Sequence, residues 1–248
     1  MALCALSCAF LSAQEKEIDW RLAEVPAEVI VNPTGELAKP RPYQGTPSSV
    51  VSKSGKRLFV SWYGNGGDEG PDNYVMVAYG DKDLGRFSDV KIVIRSPHIG
   101  IVRCFDSAVW RDPNGRVYIS WCQTTGAHVF GKLLSHKWNR RGSTWMIYTD
   151  NPDDENPTWS KPQYLFPGVM LNKPAYLKNG DILYPVVVFQ MRAINDALSR
   201  EEGLWLYRSQ DGGKTIEKYN QIFIAAHGLE TAVLEKKNGV LWFLSRVE

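Results

Sequence analysis

The sequence predicts an all-β fold built as a β-propeller, and three observations predict it. First, a hairpin pattern recurs. SSVVSKSGKRLFVSW, AVWRDPNGRVYISW, AYLKNGDILYPVVVF and AVLEKKNGVLWFLSR each join an apolar strand, a polar turn with Ser-Gly or Asn-Gly, and a strand rich in β-branched and aromatic residues. The turn glycines Gly55, Gly115, Gly180 and Gly239 lie 60, 65 and 59 residues apart, a spacing that marks a repeat architecture. Second, a more polar strand pair follows each of the first three hairpins: NYVMVAYGDKDLGRFSDVKIVI, STWMIYTDNPDDENPTWSKPQYLF and GLWLYRSQDGGKTIEKYNQIFI. Four strands per repeat make a propeller blade. Third, no stretch holds a helical period over a useful length.

Composition narrows the function. With 248 residues, 44% of them hydrophobic and 23% charged, the chain can bury a substantial core. A net charge of +2 from 29 basic and 27 acidic residues leaves no footprint for nucleic acid or anionic lipid. Aromatic residues make up 12%, which suits either a strand-rich fold or ring platforms for sugars. Residues 1–13 read as a signal peptide without a basic start, and their apolar run falls short of the roughly 20 residues a membrane-spanning helix needs. The expectation is an exported protein, periplasmic or extracellular, with no membrane span. Residues 14–42 read as an extended lead-in and 43–248 as the propeller. Ala193 to Glu202 read as a short helical turn inserted in the third repeat. Cys104 and Cys122 read as buried thiols, with a disulfide as the alternative. The four histidines lack ligand spacing, so neither metal nor cofactor is expected.

Antiparallel strands return to their start, which brings Glu230, ahead of the last hairpin, close to Arg246 at its end. The alternatives for that pair are a catalytic acid and base or a surface ion pair. The same logic applied to all four hairpins sets Gln44 with Trp62, Arg103 with Asp106, and Asn172 with Lys173. These ends form a polar ring of mixed charge, suited to sugar hydroxyls and an acidic substituent. Trp62 or Tyr63 could stack on a sugar face or pack between blades.

The most specific motif is Ser209-Gln210-Asp211-Gly212-Gly213-Lys214-Thr215, which fits S-x-D-x-G-x-T, the Asp box. Its carboxylate accepts from turn amides and its glycine permits positive φ, so Asp211 is structural. Ile216 stands where the motif usually ends in Trp, and weaker copies occur at Asp81–Gly85 and Thr149–Trp159. On these motifs the chain, from about Pro40 onward, resembles the BNR-repeat, sialidase-like superfamily. The resemblance implies a six-bladed propeller with an axial active site, of which about four blades are present. It therefore implies a truncated chain, inactive by itself. PGVMLNKPAYLKNGDILYPV is similar to the third-blade segment of sialidases and LETAVLEKKNGVLWFLSR to the fourth.

That likeness gives Glu230 the role of activating a tyrosine nucleophile and Arg246 that of clamping a substrate carboxylate. The tyrosine and a third arginine would belong to later blades, beyond Glu248. The general acid would come from the loop Tyr63 to Asn73, with Asp72 first and Asp68 second, and Glu69 as the neighbour that raises its pKa. One departure stands out. Gly45 occupies the position matched to the first clamp arginine, so Arg41 and Arg103 are the candidates to replace it. The implied activity is exo-hydrolysis of a terminal, acidic or neutral, sugar from a glycan. A non-catalytic carbohydrate-binding propeller and a polysaccharide lyase are the alternatives.

Overall fold

A computed structural model describes residues 19–39, 41–81, 89–129, 132–138, 142–188, 203–223 and 228–247. The signal segment, most of the Asp81–Gly85 turn and the helical turn expected at Ala193 to Glu202 lie outside the described residues. Every strand pairing is antiparallel.

Blade 1 contains β1 (Glu28–Val31), β2 (Gln44–Val51), β3 (Arg57–Gly64), β4 (Tyr74–Asp81) and β5 (Ile92–Arg95), in the order β1-β5-β4-β3-β2. Blade 2 contains β6 (Val102–Arg111), β7 (Val117–Val129), β9 (Ser143–Thr149) and β10 (Gln163–Pro167), and β8 (Lys132–Trp138) pairs with the far end of β7. Blade 3 contains β11 (Ala175–Tyr176), β12 (Ile182–Val188), β13 (Gly203–Ser209) and β14 (Glu217–Ile222). A fourth unit is the hairpin β15 (Gly228–Glu235) and β16 (Leu241–Val247). In each unit the first strand of the recurring hairpin (β2, β6, β11, β15) is an edge strand, and β2 packs against β6 and β11 against β15, so this edge is the inner one.

The four hairpins share one turn. The amides of Gly55, Gly115, Gly180 and Gly239 donate to the carbonyls three residues back, at 2.9, 3.1, 3.0 and 3.0 Å. All four glycines have φ between 80° and 112°, where a Cβ is unfavourable. Lys53 reaches the turn of blade 2 and Lys178 that of the last hairpin, so neighbouring turns lie together on one face, with the open ends on the other. The Asp box lies on the turn face, and Asp211 accepts from the Thr215 amide at 2.9 Å and its hydroxyl at 2.7 Å. In blade 2 Asn151 does the same work, accepting from the Thr158 amide at 3.1 Å and hydroxyl at 3.0 Å.

The blades meet through apolar seams. Phe59, Val77, Val109, Ile119 and Ile147 belong to the core between blades 1 and 2, where Trp159 meets Phe59 edge-on at 6.2 Å. Trp110, Tyr118, Phe166, Tyr184 and Tyr207 belong to the core between blades 2 and 3, and Ile216 packs there. Two lysines staple neighbouring turns. Lys53 Nζ donates to the carbonyls of Pro113 and Asn114 at 3.0 and 3.4 Å, and Lys178 Nζ to those of Lys236 and Lys237 at 2.9 and 2.7 Å. Cys104 and Cys122 are free, buried thiols, so no disulfide joins them.

The lead-in is more structured than an extended segment. It folds into two 3-10 helices, Trp20–Glu24 and Gly35–Ala38, and supplies β1 to the outer edge of blade 1. The buried Gln123 of blade 2 holds it down. Its amide donates to the carbonyls of Ala23 and Val25, both at 2.8 Å, and its oxygen accepts from the Trp121 indole at 2.9 Å. Substituting Gln123→Ala leaves the Val25 carbonyl and the Trp121 indole without this partner, while Ser143 still donates to the Ala23 carbonyl, a penalty of about 1–3 kcal/mol. The expected Tm falls by several degrees in a thermal melt, and an unchanged Tm would refute the anchoring role.

Candidate active site

Inner-strand bulges build the site. The β2–β3 register slips between Gly45 and Ser48, the β6–β7 register between Phe105 and Ala108, and the β15–β16 register between Gly228 and Thr231. Each slip puts one extra residue on the inner strand, and bulges of this kind re-aim side chains. Thr46, Asp106 and Glu230 all stand nine residues before their turn glycines, so each occupies the same place in its blade. Thr46 and Asp106 have φ of 44° and 42°. A β-branched threonine there is strained, whereas Asp tolerates the left-handed region better.

Asp106 is buried, and its pKa is pushed up to about 7. Desolvation is the main cause; the charges of Glu69 and Glu230 add to it, while Arg103 and a hydrogen bond from Thr46 oppose it. Arg103 is only 1% exposed. Its guanidinium lies 3.9 Å over the Phe105 ring and 5.4 Å from the centroid of Tyr63, and Nη1 reaches Glu69 Oε2 at 3.5 Å. Glu69 also accepts from the Tyr63 hydroxyl at 2.7 Å and the Tyr43 hydroxyl at 3.3 Å. Partial desolvation pushes Glu69 up, but the two phenols and Arg103 outweigh it and lower its pKa. Tyr63 moves the other way: burial and the charge of Asp106 raise it, so its phenol stays protonated.

Glu230 and Arg246 meet at 3.0 Å, Arg246 opposite the β15 bulge, with side chains 40% and 57% exposed. The hairpin expectation for this pair holds in the geometry. The other expected residues divide. Arg103 and Asp106 share the cluster, but Arg103 is buried beneath aromatic rings rather than open at a surface. Asp68 and Asp72 are both exposed. Asp68 caps its own loop by accepting from the Glu69 amide at 2.7 Å, and Asp72 holds Asn65 through its carbonyl at 2.9 Å. The loop's Glu69, seen in the sequence only as a helper, is the carboxylate that enters the cluster.

Trp62 points away from Tyr63, as alternation along a strand requires, and packs with Tyr74, Met76 and Val93. Arg41 lies on that same side, 5.2 Å over the Tyr74 ring, and donates to the Glu36 carbonyl. It supplies no cation to the cluster. Gln44 is exposed at the head of β2, opposite Gly64. Lys173 donates to the Ser49 carbonyl at 2.6 Å, linking blade 3 to the inner strand of blade 1, and desolvation lowers its pKa. Asn172 is half-buried beside it. At Gly45 an added Cβ would come within 2.6 Å of the Tyr43 hydroxyl, so the place matched to an arginine is filled by tyrosine.

The chain is similar in structure to a protein of unknown function from Dyadobacter fermentans, with a TM-score of 0.62 at 14% identity, covering 90% of this chain and 66% of that one. It is also similar to the sialidase of Trypanosoma rangeli solved with sialic acid, with a TM-score of 0.59 at 16% identity over 84% of this chain and 35% of that one. A variant of the NanB sialidase of Streptococcus pneumoniae gives a TM-score of 0.58 at 11% identity, covering 88% and 50%. The fold is that of the sialidase propellers. The chain spans about a third of the length of the trypanosomal enzyme and half that of NanB. No family model and no curated protein matches the sequence. Among the described residues of this sialidase-type propeller, no helix is long and apolar enough to cross a membrane.

The raised pKa of Asp106 ties stability to pH. A carboxyl whose folded pKa exceeds its unfolded value contributes stability at low pH that is lost as pH rises through the folded pKa. Wild-type Tm is therefore expected to fall from about pH 4 to about pH 7, between the unfolded and folded values, relative to Asp106→Asn, whose amide needs no proton. Parallel melting curves for the two proteins across that range would contradict a buried, titrating carboxyl.

Proposed function

We propose that this chain forms part of an exported, sialidase-like exo-glycosidase that releases a terminal acidic sugar from glycans. The observation that carries the reading is the contrast between two carboxyls at equivalent inner-strand positions. Asp106 is buried and holds its proton near neutrality; Glu230 is solvent-facing and paired with Arg246. Carboxyls set in such different surroundings, one buried and one paired with an arginine at the surface, suit general acid and general base chemistry.

In this reading Asp106 gives its proton to the departing glycosidic oxygen. Glu230 takes the proton of the attacking hydroxyl, a tyrosine phenol by the sialidase likeness. Arg246 leaves Glu230 to fork the substrate carboxylate, a bidentate contact that arginine geometry favours. Tyr63 does not serve as nucleophile in this reading, because it is buried and its hydroxyl already donates to Glu69 at 2.7 Å. In this reading Asp106 thus takes the part expected of Asp72 or Asp68. Arg103 and Glu69 position it rather than touch substrate.

A screen of the intact protein against aryl sialosides and aryl glycosides of other sugars tests the reading. Glu230→Gln and Asp106→Asn are each expected to lower kcat/KM by at least about 100-fold with the fold intact by circular dichroism. The wild-type profile should lose activity as pH rises through about 7, where Asp106 gives up its proton. Full turnover by Glu230→Gln, or by Asp106→Asn with Asp72→Asn inactive, would overturn these assignments.

A further inference from the structure

Tyr43, the residue that leads into β2, is seated in a slot that two glycines leave open. Gly45 lies opposite Tyr63 in the β2–β3 ladder, and Gly64 lies opposite Gln44. A Cβ on Gly64 would come within 2.2 Å of the Tyr43 carbonyl oxygen. One on Gly45 would come within 2.6 Å of the Tyr43 hydroxyl and 3.1 Å of the Tyr63 ring. Neither glycine has a positive φ, so the close approach of Tyr43 is what requires them. The slot carries the phenol to the axial cluster. Its ring centroid lies 6.0 Å from that of Tyr63, and its hydroxyl donates to Glu69 Oε1 at 3.3 Å.

That seat decides what the hydroxyl can recognise. The Tyr63 hydroxyl donates to the same Glu69 oxygen at 2.7 Å, and Arg103 reaches the other at 3.5 Å. The Tyr43 proton is thus directed inward at a carboxylate, and the phenol oxygen keeps its lone pairs for a ligand. Tyr43 is partly exposed and the Glu69 side chain is 42% exposed, so the pair can be reached from the cleft. An oxygen in this state accepts from a hydroxyl or an amide N–H. A carboxylate has no proton to offer it, and the two would meet as acceptors with nothing between them. Arg103 does not rescue such a contact, because it is 1% exposed and covered by the Phe105 ring. Arg246, by contrast, has a side chain 57% exposed. Asp106 feels the charges of both Glu69 and Glu230, so the Tyr43 side and the Arg246 side flank it.

We propose that Tyr43 is a specificity-determining residue of the axial site: its oxygen accepts from a hydroxyl or amide N–H of the bound sugar and turns the sugar's carboxylate away, toward Arg246. The choice of a sugar rests on the sialidase-like reading, and the inference deepens it by giving the substrate two ends. A neutral, proton-donating edge lies at Tyr43 and the acidic group at Arg246. Tyr43 touches the substrate, while Glu69 orients the phenol.

The test is a binding measurement, independent of turnover. The intact protein is titrated by calorimetry with N-acetylneuraminic acid, glucuronic acid and analogues of each that lack one hydroxyl or the acetamido group. At least one acid should bind the wild type, and one of its analogues should bind at least about tenfold more weakly. Tyr43→Phe keeps the ring and removes the oxygen. It should weaken the parent acid by about tenfold and bring that analogue within about threefold of the parent. Gly45→Ala, whose Cβ displaces the hydroxyl, should erase the same preference with Tyr43 still present. Melting curves would show that both variants fold. Failure of both acids to bind, equal binding of every analogue by the wild type, or a preference that survives Tyr43→Phe would overturn the role of Tyr43. Turnover of aryl glycosides in any of those cases would leave the axial function standing. A Tyr43-dependent preference in a protein that turns over no aryl glycoside would overturn the proposed function and leave this inference standing.

Discussion

A buried guanidinium sets the terms for the open face of the propeller. Arg103 is nearly inaccessible to water, and a desolvated cation must find compensation within the protein. It finds a carboxylate in Glu69 and ring faces in Phe105 and Tyr63. Glu69 in turn ties down the acidic loop, which the buried Asn73 pins again by accepting from the Gly70 amide at 2.8 Å. Burial, with the charge of Glu69 adding to it, lets Asp106 keep its proton despite the opposing pull of Arg103.

The turn face obeys a different logic, that of repetition with local departures. Four equal turns and two Asp-box-type turns hold the blades at a common height, and lysine staples close two of the seams. Between blades 2 and 3 the staple position holds Pro113, the closing residue is Ile216 where the neighbouring turn has Trp159, and the seam opens into an aromatic cavity. Repeat proteins tolerate such departures because each blade needs only its neighbours for support.

Much of this was legible in the sequence. The four hairpins, their glycines and the Asp box all rest on contacts within a few residues, and the structure has them where the pattern put them. The meeting of Glu230 with Arg246 followed from strand return alone. The choice among acidic residues did not. Asp68, Asp72 and Glu69 sit within five positions of one another, and only the fold turns Glu69 toward Tyr63 and leaves the other two in solvent. Thr46 could have been found, since it shares the nine-residue offset from a turn glycine with Asp106 and Glu230. Gly45 marked a missing arginine, but that Tyr43 fills the space depends on the path of the lead-in.

By itself the sequence determined the all-β character, the blade repeat, the turn chemistry and the meeting of Glu230 with Arg246. These follow from period, turn residues and antiparallel return, all short-range properties. Tertiary structure decided which carboxyl is buried, which cation is hidden and which seam stays open. Those depend on desolvation and on contacts between distant parts of the chain, such as Arg103 with Glu69, 34 residues away, or Gln123 with Ala23, 100 residues away. A residue's charge state is a property of its surroundings, and the surroundings exist only once the blades have packed.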